Sequence, residues 1–131
     1  MPSPDADPET TVVMTLCDTV RQTGFNIHCY LKHGHLEKVY ENALLHRLRK
    51  QGVSAIPQFS QTVYDEDGTI LGDYFADLFV EARLIVEVKA CSCVSAAQEA
   101  QLLGYLRASR IRHGLLINFG APKFQIKKYI L

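Results

Sequence analysis

Apolar residues recur along this chain at two spacings, and the changes between them divide the chain into eight predicted elements. Apolar positions three and four apart predict helices, whereas short apolar or alternating runs between turn residues predict strands. The resulting order is α-α-β-β-β-α-β-β, which indicates an α/β fold. The predicted helices are residues 9–32, 36–51 and 95–110, and the predicted strands are residues 53–64, 69–80, 84–90, 113–119 and 124–131.

The connections between these elements are short and carry typical turn residues. Residues 65–68 (Asp-Glu-Asp-Gly) predict a hairpin turn, and residues 81–83 form a second short connection. Neither a repeat nor a linker divides the chain, so residues 9–131 are expected to form one domain. The Pro-rich residues 1–8 are expected to be a disordered tail.

The composition is typical of a globular protein with a core of ordinary size. The 131 residues are 47% hydrophobic and 21% charged, which argues against intrinsic disorder. The sequence has no apolar run long enough to cross a membrane and no signal peptide pattern. We therefore expect a cytoplasmic location and no membrane partner.

The net charge is zero, but the charges are unevenly distributed. Zero net charge argues against a strongly basic, non-specific DNA binder. Residues 1–90 carry 8 Lys/Arg and 13 Asp/Glu, whereas residues 91–131 carry 6 Lys/Arg and a single acid, Glu99. The basic C-terminal part could face phosphates beside an acidic metal site, or its charges could simply be solvated.

The cysteines raise the question of a disulfide or a zinc site. They are Cys17, Cys29, Cys91 and Cys93. None forms a Cys-x-x-Cys pair, and disulfides are uncommon in cytosolic chains. A zinc site that also uses His28, His33 and His35 is a less favoured alternative because the spacing does not fit. Free thiols are therefore expected.

Charged residues interrupt two of the predicted strands, although burying an unpaired charge is costly. Glu87 and Lys89 alternate with apolar residues and so point to the same face of their strand. Asp77 lies on the preceding strand, on the face expected to hold Phe75 and Phe79. If the two strands pair through their short connection, Asp77 lies near Glu87. Two close carboxylates repel each other unless a cation lies between them.

A divalent metal ion would explain these charges. Carboxylates, a backbone carbonyl and waters are oxygen ligands, which favour Mg²⁺ or Mn²⁺. The Lys89 ammonium could then orient or help deprotonate an attacking water and stabilise charge on a phosphate. The plainer alternative is that Glu87 and Lys89 pair with each other or lie on an exposed face.

Five short motifs occur in an order that resembles a known family. They are Gly34-x-x-Glu37-x-x-Tyr40, Ala76-Asp77-Leu78, Glu87-Val88-Lys89, Gln101-x-x-x-Tyr105 and Leu116-Ile117-Asn118-Phe119-Gly120. The combination, spread over residues 24–131, resembles the GxxExxY proteins of the PD-(D/E)xK nuclease superfamily. The resemblance implies a restriction-endonuclease-like core, with a mixed β-sheet flanked by helices, and metal-dependent hydrolysis of phosphodiester bonds.

The resemblance also implies a role for each acidic and basic residue of these motifs. Asp77 and Glu87 would ligate Mg²⁺ or Mn²⁺, with help from the Val88 carbonyl. Lys89 would be the catalytic lysine. Glu37 would complete the metal site directly or through a water molecule.

Two further residues match a motif of one branch of the superfamily. Gln101 and Tyr105 match the Q-x-x-x-Y element of the RecB-like branch, which supports the site and the scissile phosphate. The chain also departs from the family pattern at two positions. Ala76 replaces the proline of the superfamily name, and Gln98 stands where members often have histidine.

One leading function and two alternatives follow. The leading hypothesis is a nuclease that cleaves DNA by metal-assisted attack of water on a phosphodiester. The first alternative is a non-catalytic module on a nuclease fold that binds nucleic acid or a protein partner, because Lys/Arg clusters for phosphate contacts are modest. The second is a zinc-binding interaction protein. We also expect a homodimer, to whose interface exposed Tyr129, Ile130 and Leu131 could contribute.

Overall fold

In the computed structural model, which describes residues 7–131, a five-stranded sheet separates two layers of helices. The elements of these residues are α1 (Pro8–Leu31), α2 (Glu37–Lys50), β1 (Ala55–Tyr64), β2 (Ile70–Val80), β3 (Leu84–Lys89), α3 (Ala96–Ser109), β4 (His113–Asn118) and β5 (Gln125–Ile130). Their order and the α/β class confirm the prediction. Element ends differ from the predicted ones by at most two residues.

The strands lie in the order β1-β2-β3-β4-β5, and the sheet is mixed. β1, β2 and β3 form an antiparallel meander, and β4 pairs antiparallel with β5. β3 and β4 are parallel, so the chain must cross over between them, and α3 provides that crossover. β3 and β4 are consequently the central strands, and both are buried over nearly their whole length.

Helices cover both faces of this sheet. On one face, α1 and α2 pack with Val20, Leu44 and Leu48 against strand residues such as Val86 and Ile117. On the opposite face, α3 packs against a second apolar cluster, whose buried members are Ala76, Ile85, Leu102, Tyr105, Leu106, Leu116 and Tyr129. The alternation of side chains along β3 and β4 therefore supplies both layers with apolar surface.

The first described residues already belong to α1. The Asp7 carboxylate accepts a hydrogen bond of 3.0 Å from the Glu9 amide, and Pro8 occupies the first helical turn. Both are favourable at a helix N-terminus. The prediction of a disordered tail is therefore wrong for Asp7 and Pro8, while its remaining part, residues 1–6, lies outside the described residues.

The last strand differs from the expectation of an exposed apolar end. Tyr129 is only 9% exposed, and its hydroxyl donates a hydrogen bond of 2.6 Å to Glu99. The neighbouring Ile130 and Leu131 are exposed as expected. Tyr129 therefore contributes to the α3 layer and is not available to a dimer interface.

All four cysteines are free thiols, as expected. Among the described residues, none of the helices combines the length and the hydropathy needed to traverse a lipid bilayer.

Candidate active site

The candidate site lies where β2 and β3 separate. The two strands pair from Val80↔Leu84 to Leu78↔Val86, and the pairing stops before Asp77. Beyond this point the Asp77 side chain replaces the backbone as the hydrogen-bond partner of β3, because its Oδ2 atom accepts a hydrogen bond of 2.8 Å from the backbone amide of Val88. The carboxylate of Asp77 is thus fixed against the strand that carries Glu87.

Strict alternation along β2, which the sequence analysis assumed, is broken at this point. Ala76 was expected on the face of Leu78 and Val80, yet it lies in the α3-side cluster, whereas Leu78 and Val80 lie in the opposite one. Phe75 is 56% exposed. The predicted proximity of Asp77 and Glu87 is nevertheless found.

Glu87 is buried, with 5% of its surface exposed. Burial, followed by the negative charge of Asp77, raises the pKa of this carboxyl to about 9. The ammonium of Lys89 acts in the opposite direction. At neutral pH, and without another cation, Glu87 therefore carries a proton between the two carboxyl groups.

Lys89 and Glu37 meet at the exposed edge of the site. The Lys89 Nζ atom lies 3.9 Å from Glu37 Oε1. Burial raises the pKa of Glu37, the charge of Lys89 lowers it, and the charges of Asp77 and Glu41 raise it. The charges of Asp77 and Lys89 thus affect the pKa of both Glu37 and Glu87. The three acids and the lysine predicted from the sequence therefore belong to one electrostatic environment.

The remaining residues of the Gly34-x-x-Glu37-x-x-Tyr40 motif hold the turn that precedes Glu37. Gly34 has φ of 115°, a left-handed conformation that favours glycine. The Tyr40 hydroxyl donates to the Lys32 carbonyl and accepts a 3.1 Å hydrogen bond from the His35 amide. The Tyr40 ring is stacked on Phe119, with centroids 4.7 Å apart. These contacts place the start of α2, and with it Glu37, over the sheet.

The two residues of the Q-x-x-x-Y element differ in their environments. Tyr105 is buried against Tyr74, with ring centroids 4.0 Å apart, and its hydroxyl has no hydrogen-bond partner among the described residues. Burial, followed by the charge of Glu87, raises the pKa of Tyr105 to about 12. Gln101 is exposed, and its side chain forms no hydrogen bond with another described residue. The structure therefore brings Tyr105 into the surroundings of Glu87, whereas Gln101 lies on the exposed surface of α3.

Tyr74 is also part of the site, although none of the sequence motifs includes it. Its hydroxyl donates a long hydrogen bond of 3.4 Å to Glu87 Oε1. Burial, and then the charge of Glu87, raises the pKa of this phenol well above its ordinary value. The only signal in the sequence is an aromatic residue three positions before Asp77, which is too common to identify a role.

Asn118 supports the segment that follows Lys89, a role that its motif did not reveal. Asn118 is fully buried, and its Oδ1 atom accepts hydrogen bonds of 3.0 Å from the amides of Cys91 and Gly120. Its amide group donates to the Cys91 carbonyl and to Gln125, each at 2.8 Å. The backbone immediately after Lys89 is thus fastened to the end of β4.

Gln98, which replaces the histidine common in the family, has a structural role here. Its side chain accepts a hydrogen bond of 2.9 Å from the Ser95 amide, while the Ser95 hydroxyl accepts one of 3.2 Å from the Gln98 amide. These reciprocal bonds form a capping box at the start of α3.

The carboxylates suit a hard divalent cation, although they do not form a complete cage. Within residues 7–131, no three His, Cys, Asp or Glu side chains are grouped closely enough to hold a metal ion. Mg²⁺ typically needs only one or two carboxylates because it retains waters and binds substrate phosphates. Asp77 and the proton-bearing Glu87 provide such a pair, since a cation could replace the proton between them.

Comparison with solved structures identifies a protein of similar fold. The crystal structure of SSO0001 matches with a TM-score of 0.57 and 14% sequence identity, over 71% of this chain and 48% of the SSO0001 chain. This chain therefore spans about half the length of that protein, and at this identity the likeness concerns the fold alone. No curated protein matches the sequence.

A match to a family model gives a more specific assignment than the similarity of fold. The model of the PD-(D/E)XK nuclease superfamily matches residues 14–129, which include all five motifs. Together with the mixed five-stranded sheet, this match identifies a restriction-endonuclease-like fold. The chain belongs to the PD-(D/E)XK nuclease superfamily.

Proposed function

We propose that this protein is a divalent-metal-dependent nuclease that hydrolyses phosphodiester bonds of DNA. The observation that carries the proposal is the hydrogen bond from the Val88 amide to Asp77, which holds this carboxylate beside buried Glu87. A buried carboxyl group next to a second carboxyl group is destabilising for a fold. Its presence in a member of a nuclease superfamily is best explained by a role in catalysis.

The chain's own groups would divide the work as follows. Asp77, Glu87 and the Val88 carbonyl would hold Mg²⁺ or Mn²⁺, with Glu37 joining them directly or through water. The bound cation would polarise the phosphodiester and activate water for attack. Lys89, released from Glu37 when substrate enters, would orient the attacking water and stabilise negative charge on the phosphate.

The narrower assignments are also part of this proposal. We place the chain among the GxxExxY proteins because Gly34 and Tyr40 build the turn before Glu37. Gln101, exposed on α3 one turn before Tyr105, would contact the scissile phosphate, and the buried Tyr105 would support Glu87 from behind. The basic residues of the C-terminal part would contact flanking phosphates.

The decisive test is cleavage of DNA with and without divalent metal. Purified protein is incubated with single-stranded, duplex and branched DNA, and with RNA, in Mg²⁺, Mn²⁺ or EDTA. We expect metal-dependent cleavage of DNA that falls at least about 100-fold in Lys89→Met, which keeps the length of the side chain without its charge. Asp73→Asn is the matched control, because Asp73 lies on the same strand as Asp77 but is exposed and bonded only to Thr62. Cleavage that survives Lys89→Met would refute the proposed site.

The second candidate function is a non-catalytic module that binds nucleic acid or a protein partner. It is favoured by the lack of a three-ligand group within residues 7–131 and by the pairing of Lys89 with Glu37. Calorimetric titration with Mn²⁺ separates the candidates. Millimolar Mn²⁺ that fails to bind the wild-type protein would support the non-catalytic module and contradict the nuclease.

A homodimer is the assembly that we propose for either function. Because Tyr129 is buried, the exposed apolar residues that support a dimer are Ile130 at the end of β5, which is 53% exposed, and Leu131 after it, which is 40% exposed. Light scattering coupled to gel filtration should give twice the 14.7 kDa mass of the chain. A mass of one chain at all accessible concentrations would contradict the dimer.

A further inference from the structure

The pairing of β1 with β2 is interrupted directly opposite Asp77. Pro57 pairs with Leu78, and Phe59 pairs with Ala76, but the two residues between these pairs, Gln58 and Asp77, do not pair with each other. Gln58 has φ of 48°, in the left-handed region that residues other than glycine rarely adopt. The break in the pairing therefore coincides with the unusual backbone conformation of Gln58.

The side chain of Gln58 holds this unfavourable conformation in place. Its Nε2 atom donates a short hydrogen bond of 2.7 Å to Glu41 Oε1. The same oxygen accepts a hydrogen bond of 3.1 Å from the Lys38 ammonium. An uncommon backbone conformation persists only where its surroundings determine it, and the bond to Glu41 is such a determinant.

Glu41 is itself an unusual residue at its position. It lies on α2 one turn after Glu37, and only 4% of its surface is exposed. A buried carboxylate seldom stabilises a fold more than an apolar side chain of similar size would. Its charge also contributes to raising the pKa of Glu37. Glu41 is therefore a buried acid whose hydrogen bond holds a strained residue opposite Asp77, which indicates a role in the site and not only in packing.

The break has a direct consequence for the candidate site. A continuous ladder at this position would direct the Asp77 side chain by the alternation of β2. Instead, Ala76 lies in the α3-side cluster, and the Asp77 carboxylate reaches the Val88 amide at 2.8 Å. The bond from Gln58 to Glu41 also ties β1 to the helix that carries Glu37.

We propose that Gln58 and Glu41 are positioning residues, which hold the break in the β1–β2 pairing from which Asp77 reaches the Val88 amide. The inference rests on the proposed function, since it concerns the placement of a carboxylate assigned to the metal. It predicts that both residues act on the geometry of Asp77 without contact with substrate.

The first experiment needs no metal and no substrate. Amide hydrogen exchange is measured by NMR on the metal-free protein, and the exchange rate of Val88 is divided by that of Val86. Val86 lies in the part of β3 that remains paired with β2, so the ratio removes the effect of overall stability. In Glu41→Ala and in Gln58→Ala, we expect this ratio to rise at least about tenfold.

Two further variants distinguish positioning from general destabilisation. Glu41→Gln keeps an oxygen that can accept the Gln58 amide, and it should restore the wild-type ratio. Val13→Ala creates a cavity under α1, where Val13 forms no hydrogen bond with Gln58 or Glu41, and should lower thermal stability without changing the ratio. An unchanged ratio in both Glu41→Ala and Gln58→Ala would overturn the inference.

Calorimetric titration with Mn²⁺ then connects the positioning to the proposed metal site. We expect Glu41→Ala and Gln58→Ala to weaken Mn²⁺ binding about 10- to 100-fold, as loss of supporting contacts does at metal sites. Affinity equal to wild type in both variants would contradict the inference. Wild-type protein that neither binds Mn²⁺ nor cleaves DNA would instead refute the proposed function, and the exchange ratio would still decide whether Gln58 and Glu41 position Asp77.

Discussion

The Asp77 carboxylate accepts a hydrogen bond of 2.8 Å from the amide of Val88, the residue between Glu87 and Lys89. This bond joins a side chain of β2 to the strand that carries two other candidate groups. It also brings the negative charge of Asp77 close enough to Glu87 to raise the pKa of that carboxyl. One contact therefore accounts for both the geometry and the electrostatics of the site.

The two roles of Asp77 can be separated with two substitutions. Asp77→Asn retains an oxygen for the Val88 amide but removes the charge, so we expect cleavage to fall at least about 100-fold. Its free energy of unfolding should stay close to that of wild type, because the amide oxygen of asparagine can still accept the hydrogen bond from Val88. Asp77→Ala leaves the Val88 amide without its partner and should cost about 1–3 kcal/mol of stability. Urea unfolding and cleavage assays measure both effects. Equal stability of the two variants would show that the bond to Val88 is unimportant.

Burial of Glu87 should appear in the pH dependence of stability. The pKa of Glu87 rises from its ordinary 4.5 to about 9 in the folded protein. Folding thus favours the protonated form of Glu87. The stability that this preference contributes is fully present below pH 4.5, the pKa in the unfolded chain, and is lost as the pH rises toward about 9, the pKa in the folded protein. Relative to Glu87→Gln, the free energy of unfolding of metal-free wild type should fall by on the order of a few kcal/mol between about pH 5 and pH 9.

Urea unfolding in EDTA at a series of pH values measures this difference, since the variant carries every other titrating group. Mn²⁺ must compete with the proton on Glu87, so its affinity should increase over the same range. Parallel stability curves for wild type and Glu87→Gln would mean that Glu87 is ionised at neutral pH.

The elements of this fold could be predicted because local patterns determine them. β3 and β4 read as short apolar runs because helices bury both of their faces. The hairpin turn at residues 65–68 follows from its Asp and Gly residues, which favour such turns. The proximity of Asp77 to Glu87 followed from the short connection between their strands, which forces them to be neighbours.

The details that orient the site could not be predicted, because they depend on contacts between distant residues. The left-handed conformation of Gln58 is held by Glu41 on another element, and nothing in the residues around Gln58 indicates it. The stacking of Tyr74 on Tyr105 joins β2 to α3. Tyr129 is buried because Glu99, also on α3, offers an acceptor to its hydroxyl. The alternation of side chains along a strand does not by itself determine which face of the sheet such residues occupy.

The two residues of the Q-x-x-x-Y element should respond differently to substitution. Gln101 is exposed, so Gln101→Ala should change stability by less than about 0.5 kcal/mol. If its side chain binds the phosphate, cleavage should fall about tenfold, mainly through an increase in KM. Tyr105→Phe removes a buried hydroxyl without a partner, so the free energy of unfolding should rise by up to about 1 kcal/mol.

Steady-state kinetics and thermal unfolding of both variants test these expectations. Leu103→Ala, on the same helix but only half-buried, controls for general effects on α3. Gln101→Ala with unaltered kinetics would remove Gln101 from the site. A marked loss of stability in Tyr105→Phe would reveal a hydrogen bond to the hydroxyl, for example through a water molecule.

Gly120 is expected to be essential to the backbone that follows Lys89. A Cβ atom at this position would lie 2.2 Å from the Cys91 amide nitrogen, and backbone atoms cannot move aside as a flexible side chain can. Gly120→Ala should therefore separate the segment after β3 from the end of β4 and weaken the bonds that Asn118 makes to Cys91. We expect a loss of about 2–4 kcal/mol in the free energy of unfolding. Cleavage should also be lost, because Lys89 lies two residues before Cys91.

Gly104→Ala provides the matched control for this glycine. Gly104 lies within α3, and a Cβ atom there would meet nothing within 4 Å. Since alanine favours helix and restricts the unfolded chain, Gly104→Ala should stabilise the protein by about 0.5–1 kcal/mol. Urea unfolding of the two variants should thus give changes of opposite sign. A Gly120→Ala protein as stable as wild type would show that Gly120 and Cys91 have room for a methyl group between them, and that the position of Lys89 does not depend on this contact.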